Sequence, residues 1–310
     1  MPPVEQPVDE RHLLALLRDV SRSFYLSIQL LPAALRRPVA VGYLLARTSD
    51  SIADAPGITA ADRLRMLAQF EDDVRGRCPP SPIPAGAGMK EEEARLLGAF
   101  PECVGWLERL DRADRADVLT VLTAITHGQR LDVERFGAAS AQAPRRLANA
   151  EQLDEYTYLV AGSVGEFWTR LGFRHLPGFA SLPEAEMLDL GRRYGQGLQL
   201  VNVLRDAPED LVQGRGYLPE PDDARAWHQR ALDGLECGLR YALALRSARV
   251  RVASALPALI GVRTLALLQD AGTTRAKVPR SEIRALVARL ALSLGSRSRI
   301  EREFRDNRPR

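Results

Sequence analysis

Two stretches of this chain carry aspartates in pairs four positions apart. One is "RTSDSIADAP" (47–56), with Asp50 and Asp54; the other is "LQLVNVLRDAPEDL" (198–211), with Asp206 and Asp210. Aspartate forms helices poorly and is costly to bury, yet each pair interrupts an apolar run with helical periodicity. Successive helix residues turn by about 100°. Tyr43, Arg47, Asp50 and Asp54 then stand at i, i+4, i+7 and i+11, within an arc of roughly 60°. Gln199, Asn202, Asp206 and Asp210 repeat the arrangement at i, i+3, i+7 and i+11, with Arg205 and Glu209 beside them.

Each seam is a ladder of ligating groups on an otherwise apolar helix. A solvent face rarely sets Tyr, Gln and Asn in register with acids, and a buried carboxylate must meet a cation or lose its charge. Carboxylates one turn apart suit hard cations with oxygen ligands. Mg²⁺ takes one or two of them, keeps waters and completes its shell with phosphate oxygens. Two facing ladders would hold Mg²⁺ ions with a diphosphate between them, and Arg47 and Arg205 can pair with its oxygens. An apolar cavity beneath would take a long hydrocarbon. Together these features predict Mg²⁺-assisted ionisation of an isoprenoid diphosphate. The denser acidic run "FEDDVRGR" (70–77), with Asp72 and Asp73, reads instead as a solvated face.

The elements that must position these ladders are helices. A period near 3.6 dominates the chain, with helical patterns over 9–19, 23–31, 33–55, 60–76, 91–110, 113–136, 148–172, 183–213, 222–246, 248–270 and 280–305. No convincing alternating strand and no internal repeat beyond the paired aspartates is present. "GRCPPSPIPAGAG" (76–88) and "GAASAQAP" (137–144) read as loops by their Pro, Gly and small residues. The expected architecture is one all-α domain over 1–310, with 1–8 a flexible N-terminus.

Composition narrows the classes. The net charge of +3 is too small to argue for nucleic acid, and no nucleic-acid partner is expected. The basic residues are nearly all arginine, Lys90 and Lys277 being the lysines, which reads as genomic bias. Cys78, Cys103 and Cys237 show neither metal spacing nor a disulfide framework. The opening "MPPVEQPVDERH" does not read as a signal peptide, and no apolar run is read as approaching the ~20 residues of a membrane span. A soluble protein of a reducing compartment is expected.

With their surroundings, the seams resemble the squalene/phytoene synthase family. The similarity runs through "SRSFYLSIQLLPAALR" (21–36), "GYLLARTSDSIAD" (42–54), "HGQRLDVERF" (127–136) and "YTYLVAGSVGEFW" (156–168). It is strongest at "QLVNVLRDAPEDLVQGRGYLP" (199–219). The resemblance implies an isoprenoid-synthase-type helical bundle around a central apolar cavity. It implies that Asp50 and Asp54, and Asp206 and Asp210, are the two aspartate-rich motifs that bind Mg²⁺ and substrate diphosphates. Gln199 and Asn202 are then polar partners of the second motif, and Ser21, Arg22 and Ser23 an entrance segment near a diphosphate. Tyr43 and Arg47 match the positions before the first motif, and Tyr156 the tyrosine near the reacting carbocation, with Tyr158 a weaker match. One departure stands out: Ala53 occupies the place where many relatives have a further acid. In "VAGSVGEFW", Gly162 and Gly165 cost helix stability and mark either close helix packing or a local break that opens room near Tyr156.

The implied reaction is head-to-head coupling of two farnesyl diphosphates through presqualene diphosphate to squalene, with NADPH as reductant. Products of the same family that stay open are presqualene diphosphate, hydroxysqualene, dehydrosqualene and, from C20 substrates, phytoene. A non-catalytic helical assembly factor would have no reason to keep both ladders, and a terpene cyclase fits the DxxxD pair poorly. The C-terminal "RALVARLALSLGSRSRIEREFRDNRPR" is amphipathic, so its apolar side either docks on the domain or lies against an anionic membrane. A bacterial, cytoplasmic enzyme is expected, a monomer or weak homodimer, with peripheral contact at the inner face of the plasma membrane as a further expectation.

Overall fold

The computed structural model describes residues 10–21, 24–220, 223–271, 278–292 and 295–309. The expected flexible segment 1–8, and Arg22 and Ser23, lie outside them. The helices in chain order are α1 (Glu10–Val20), α2 (Phe24–Gln29), α3 (Ala33–Ala53), α4 (Ala60–Val74), α5 (Glu91–Gly98), α6 (Phe100–Glu108) and α7 (Arg112–Phe136). Then come α8 (Ala150–Thr157), a π-helical turn (Tyr158–Gly162), α9 (Ser163–His175), α10 (Glu184–Val212), α11 (Ala224–Ala244), α12 (Ala248–Ala271), α13 (Arg280–Leu292) and α14 (Arg297–Asp306).

Local chemistry explains the boundaries. Thr59, Asp111 and Asn149 each accept a backbone N–H from the first turn of the helix they precede, satisfying donors that have no intrahelical partner. Two expected helices are broken and a third is altered. The pattern over 91–110 splits at Ala99, because Pro101 has no N–H and fits only the first turn of a new helix. The pattern over 280–305 splits before Gly295, whose φ of 66° ends a right-handed helix. The pattern over 148–172 is carried through, but with a π turn inserted at Tyr158–Gly162.

The sequence pattern showed no strand, yet β1 (Arg145–Arg146) and β2 (Arg215–Gly216) pair in parallel. The Arg145 N–H donates to the Gly214 carbonyl at 2.8 Å, and the Leu147 N–H to Gly216 at 2.9 Å. Gly214 makes the approach possible: it has φ 80°, and a Cβ there would lie 2.1 Å from the Ser140 carbonyl oxygen.

Helix α10 is the hub, packing on α9, α11, α12 and the π turn. Its glycines set those distances. A Cβ on Gly165 would fall 1.9 Å from the Gly191 carbonyl oxygen, and one on Gly195 would fall 2.2 Å from that of Ala161. Gly165 is therefore a close-packing residue. Gly162 closes the π turn, and a Cβ there would stand 3.0 Å from Tyr158 Cδ2 and 3.1 Å from Gln196 Cγ, so it too is a close-packing residue.

Helix α12 contradicts the expectation of no long apolar run. Its span Ala248–Gln269 is long and apolar enough, by length and composition alone, to cross a membrane. Its Ala253, Ala255, Ala258, Leu259 and Val262 are buried in the core. At the C-terminal end, Ile300 and Phe304 of α14 are also buried, and Glu303 pairs with Arg289 and Arg299 at 2.9 Å. The apolar side of α14 docks on the protein.

Candidate active site

Helices α3, α7, α9 and α10 enclose a cavity of about 830 Å³, with residues of α2, α11, α12 and β2 completing its wall. Its polarity follows the helix directions. Towards the C-terminal ends of α3, α7 and α10 the lining is Arg47, Asp50 and Asp54; Gln129 and Asp132; and Asn202, Asp206, Glu209 and Asp210. Towards the other ends it becomes Val39 and Gly42, Val121 and Ile125, and Leu198, with Phe167, Trp168 and Tyr241 joining from α9 and α11. One end is a ring of acids and the other is apolar. The two predicted seams meet at the acidic end.

Burial and charge crowding act on these acids. Asp50 is pushed up to about 6, first by loss of water and then by Asp54, with Arg47 pulling it back. Asp54 caps the end of α3 and reaches solvent at the mouth, yet desolvation by the surrounding protein still raises its carboxyl, against Arg215 and Arg47. Arg63 donates to the Ala53 carbonyl at 2.7 Å, fixing this helix end. Asp210 is raised by burial, opposed by its partner Arg215, and raised further by Asp206 and by Asp54 from the facing helix. Six carboxylates face one cavity, with Arg47 and Arg215 as the cations in its lining. Oxygen donors whose charge is destabilised by burial and mutual repulsion fit a divalent cation, which would reverse both effects.

Around this ring, Arg47 pairs with Asp50 and donates to Glu93 of α5 at 2.6 Å. Gln199 Nε2 reaches the Tyr156 hydroxyl at 3.4 Å, and Asn202 Nδ2 reaches Gln199 Oε1 at the same distance. Tyr156 stacks on Tyr217 with ring centroids 5.2 Å apart, and burial raises its phenol well above the usual range. Tyr43 lines the cavity, with its phenol raised by burial and lowered by its neighbour Ser21, itself buried. Arg205 departs from its predicted place. It lies outside the cavity lining and grips Asp206 with two hydrogen bonds of 3.0 and 2.5 Å, so it acts on that carboxylate and not on the cavity.

Three residues at the acidic end were not singled out from sequence. Asp132 is pushed up to about 6 by burial and accepts a 2.6 Å hydrogen bond from Tyr217. Arg215 meets Asp210 at 3.0 Å. A signal existed for Asp132, which follows Gln129 and Ile125 on the cavity face of α7; Arg215 and Tyr217 flank Gly216 at a two-residue pairing that no local pattern marks. Asp73 corrects the solvated reading of 70–77: it is 3% exposed and accepts a 2.6 Å hydrogen bond from Gln69, while Asp72 pairs with Arg77 at the surface.

Among the described residues, one further group of metal-ligand type brings Asp111, Asp114 and His175 together. It lies at the far end of α7, about 27 Å from Asp132 at ~1.5 Å per residue. Asp111 caps that helix, and Asp114 is held by His175 at 2.7 Å and Arg174 at 2.7 Å, so these groups are already engaged.

Residues 17–226 match the squalene/phytoene synthase family model. The chain is 32% identical over 197 residues to the presqualene diphosphate synthase of Rhodopseudomonas palustris, covering 64% of this chain and 58% of that protein. It is 31% identical over 213 residues to the 15-cis-phytoene synthase of Synechocystis sp., covering 65% and 53%. The alignments thus span less than two thirds of these relatives. A solved complex of TcSQS with the ligand E5700 shares the fold, with a TM-score of 0.75 over 97% of this chain and 98% of that one, at 22% identity.

Proposed function

The chain belongs to the squalene/phytoene synthase family, and from that premise we propose that it couples two farnesyl diphosphates head to head. The product of the first stage is presqualene diphosphate, and the second reduces it to squalene with NADPH as co-substrate. The observation that carries this reading is the meeting of the α3 and α10 acid seams at the mouth of a cavity whose other end is apolar.

In this reading Asp50, Asp54, Asp206 and Asp210 hold Mg²⁺, which when bound neutralises a leaving diphosphate. Arg47 and Arg215 supply charge-assisted hydrogen bonds to phosphate oxygens. Gln199 and Asn202 orient the Tyr156 phenol towards the reacting carbons. The apolar walls hold the prenyl chains and exclude water. The first stage breaks one C–O bond to release diphosphate. The double bond of the second substrate then attacks C1 of the resulting cation, and loss of a proton closes a cyclopropane. The second stage releases the remaining diphosphate, rearranges the cation and takes a hydride at carbon.

The test is product analysis with farnesyl diphosphate and Mg²⁺. A C30 product with release of diphosphate supports the reading; a protein that leaves farnesyl diphosphate intact defeats it. A second reading stops at presqualene diphosphate, favoured by the similarity to a presqualene diphosphate synthase.

A further inference from the structure

Along the apolar part of the cavity an aromatic ring lies against Gly42 of α3, with Val39 lining the cavity three positions further in on the same helix. Phe167 lines the cavity and is 6% exposed. Its Cζ and Cε1 stand 3.4 and 3.5 Å from where a Cβ on Gly42 would be, with Val118 Cγ2 at 3.8 Å. The ring is thus in van der Waals contact with the place of a Cβ at position 42 and stands where a longer side chain there would extend.

The depth of that ring is informative. Gly42 precedes Asp50 by eight positions on one helix, so it lies about 12 Å further from the acidic end at ~1.5 Å per residue. With C–C bonds of ~1.5 Å, the main chain of a C15 prenyl group spans on the order of 14 Å and that of a C20 group about 19 Å. A C15 chain ends near the ring. A C20 chain must pass the ring towards Val39, and a bulky ring in contact with α3 leaves it less room to do so.

We propose that Phe167, seated against Gly42, is the stop that sets prenyl chain length and makes the site select C15 over C20. This rests on the prenyl diphosphate reading above. It also makes the two positions exchangeable: bulk removed at 167 can be returned to the same space from 42.

The experiment compares kcat/KM for farnesyl and geranylgeranyl diphosphate in the wild type, Phe167→Ala, Phe167→Leu and the double variant Gly42→Leu with Phe167→Ala. Phe167→Ala is expected to shift the C20:C15 ratio about tenfold towards C20, in the range that a resized apolar pocket commands. Phe167→Leu shifts it less, and the double variant returns it towards wild type. Should Phe167→Ala fail to fold, Phe167→Leu keeps most of the packing and decides the direction. A ratio within about threefold of wild type in the folded single variants overturns the stop, as does a double variant that keeps the Phe167→Ala ratio. A wild-type protein that turns over neither chain length overturns the functional reading itself.

Discussion

Tyr217 donates a 2.6 Å hydrogen bond to Asp132, tying β2 to α7 across 85 positions of sequence. The bond ends on a carboxyl that burial pushes up to about 6; Tyr217 and Arg215 lower it, and Asp54 and Asp210 raise it. The contact couples the segment that carries Arg215 to the acid ring.

A carboxyl whose folded pKa lies above its unfolded value of ~3.9 binds more protons folded than unfolded between the two. Stability is therefore lost as pH rises from about 4 to about 6, and the loss is complete above that window. Asparagine at 132 removes the charge and keeps an acceptor for Tyr217. In chelator, Asp132→Asn is expected to melt above wild type near pH ~8 and level with it near pH ~4. Thermal melts across that range check it, and a variant that melts lower at the alkaline end refutes the sign.

Turnover of farnesyl diphosphate is expected to stop in excess chelator and return with Mg²⁺. Asp50→Asn and Asp206→Asn are each expected to lower kcat by about a hundredfold or more, since each removes an oxygen facing the same developing charge. Asp72→Ala, at a surface pair with Arg77, is expected to stay near wild type. Loss of activity at Asp72 equal to that at Asp50 would move the site elsewhere.

Tyr156→Phe is expected to lower kcat more than it raises KM. It keeps the ring stacked on Tyr217 and removes the hydroxyl that Gln199 reaches. A rise in KM at constant kcat would make Tyr156 a simple binding residue. Tyr158→Phe, at the start of the π turn, is the control expected to change less.

Gly195→Ala tests the seam that brings the α10 ladder to the cavity. Its Cβ would stand 2.2 Å from the Ala161 carbonyl oxygen, a backbone atom that no rotamer change can move. The expected cost is about 2–3 kcal/mol of stability, the upper part of the range for overpacking. Chemical denaturation measures it, and an unchanged midpoint would mean that α10 and the π turn are free to part.

The parts of this site that sequence showed are those set by one helix at a time. Asp50 and Asp54, or Asp206 and Asp210, share a face because a helix repeats every ~3.6 residues, whatever packs around it. Arg205 shows the limit: it adjoins the seam in sequence, but a bidentate grip on Asp206 turns it away from the cavity. Arg215 depends on a two-residue pairing with Arg145 that no local propensity encodes. Asp73 looked solvated because its neighbours are charged, and only the tertiary placement of α4 buries it, while its hydrogen bond comes from Gln69 one turn earlier on the same helix. Pro101 and Gly295 were legible as breakers, yet the periodicity ran past both.

The last prediction separates the possible products. The first stage needs no hydride, so without NADPH a squalene-forming enzyme is expected to accumulate presqualene diphosphate or its solvolysis products. With NADPH, hydride transfer must outrun water and proton loss at the rearranged cation, which requires the donor within ~3–3.5 Å of the acceptor carbon. Val39, Val121, Ile125, Val164, Phe167 and Trp168 supply a wall without charged groups, favouring exclusion of water during the interval. The measurement is quantification of squalene, hydroxysqualene, dehydrosqualene and presqualene diphosphate from farnesyl diphosphate, with and without NADPH. Squalene only with NADPH is the expected outcome. Identical profiles in both conditions would remove the reductive step from the reaction while leaving the metal site and the prenyl cavity to account for what is made.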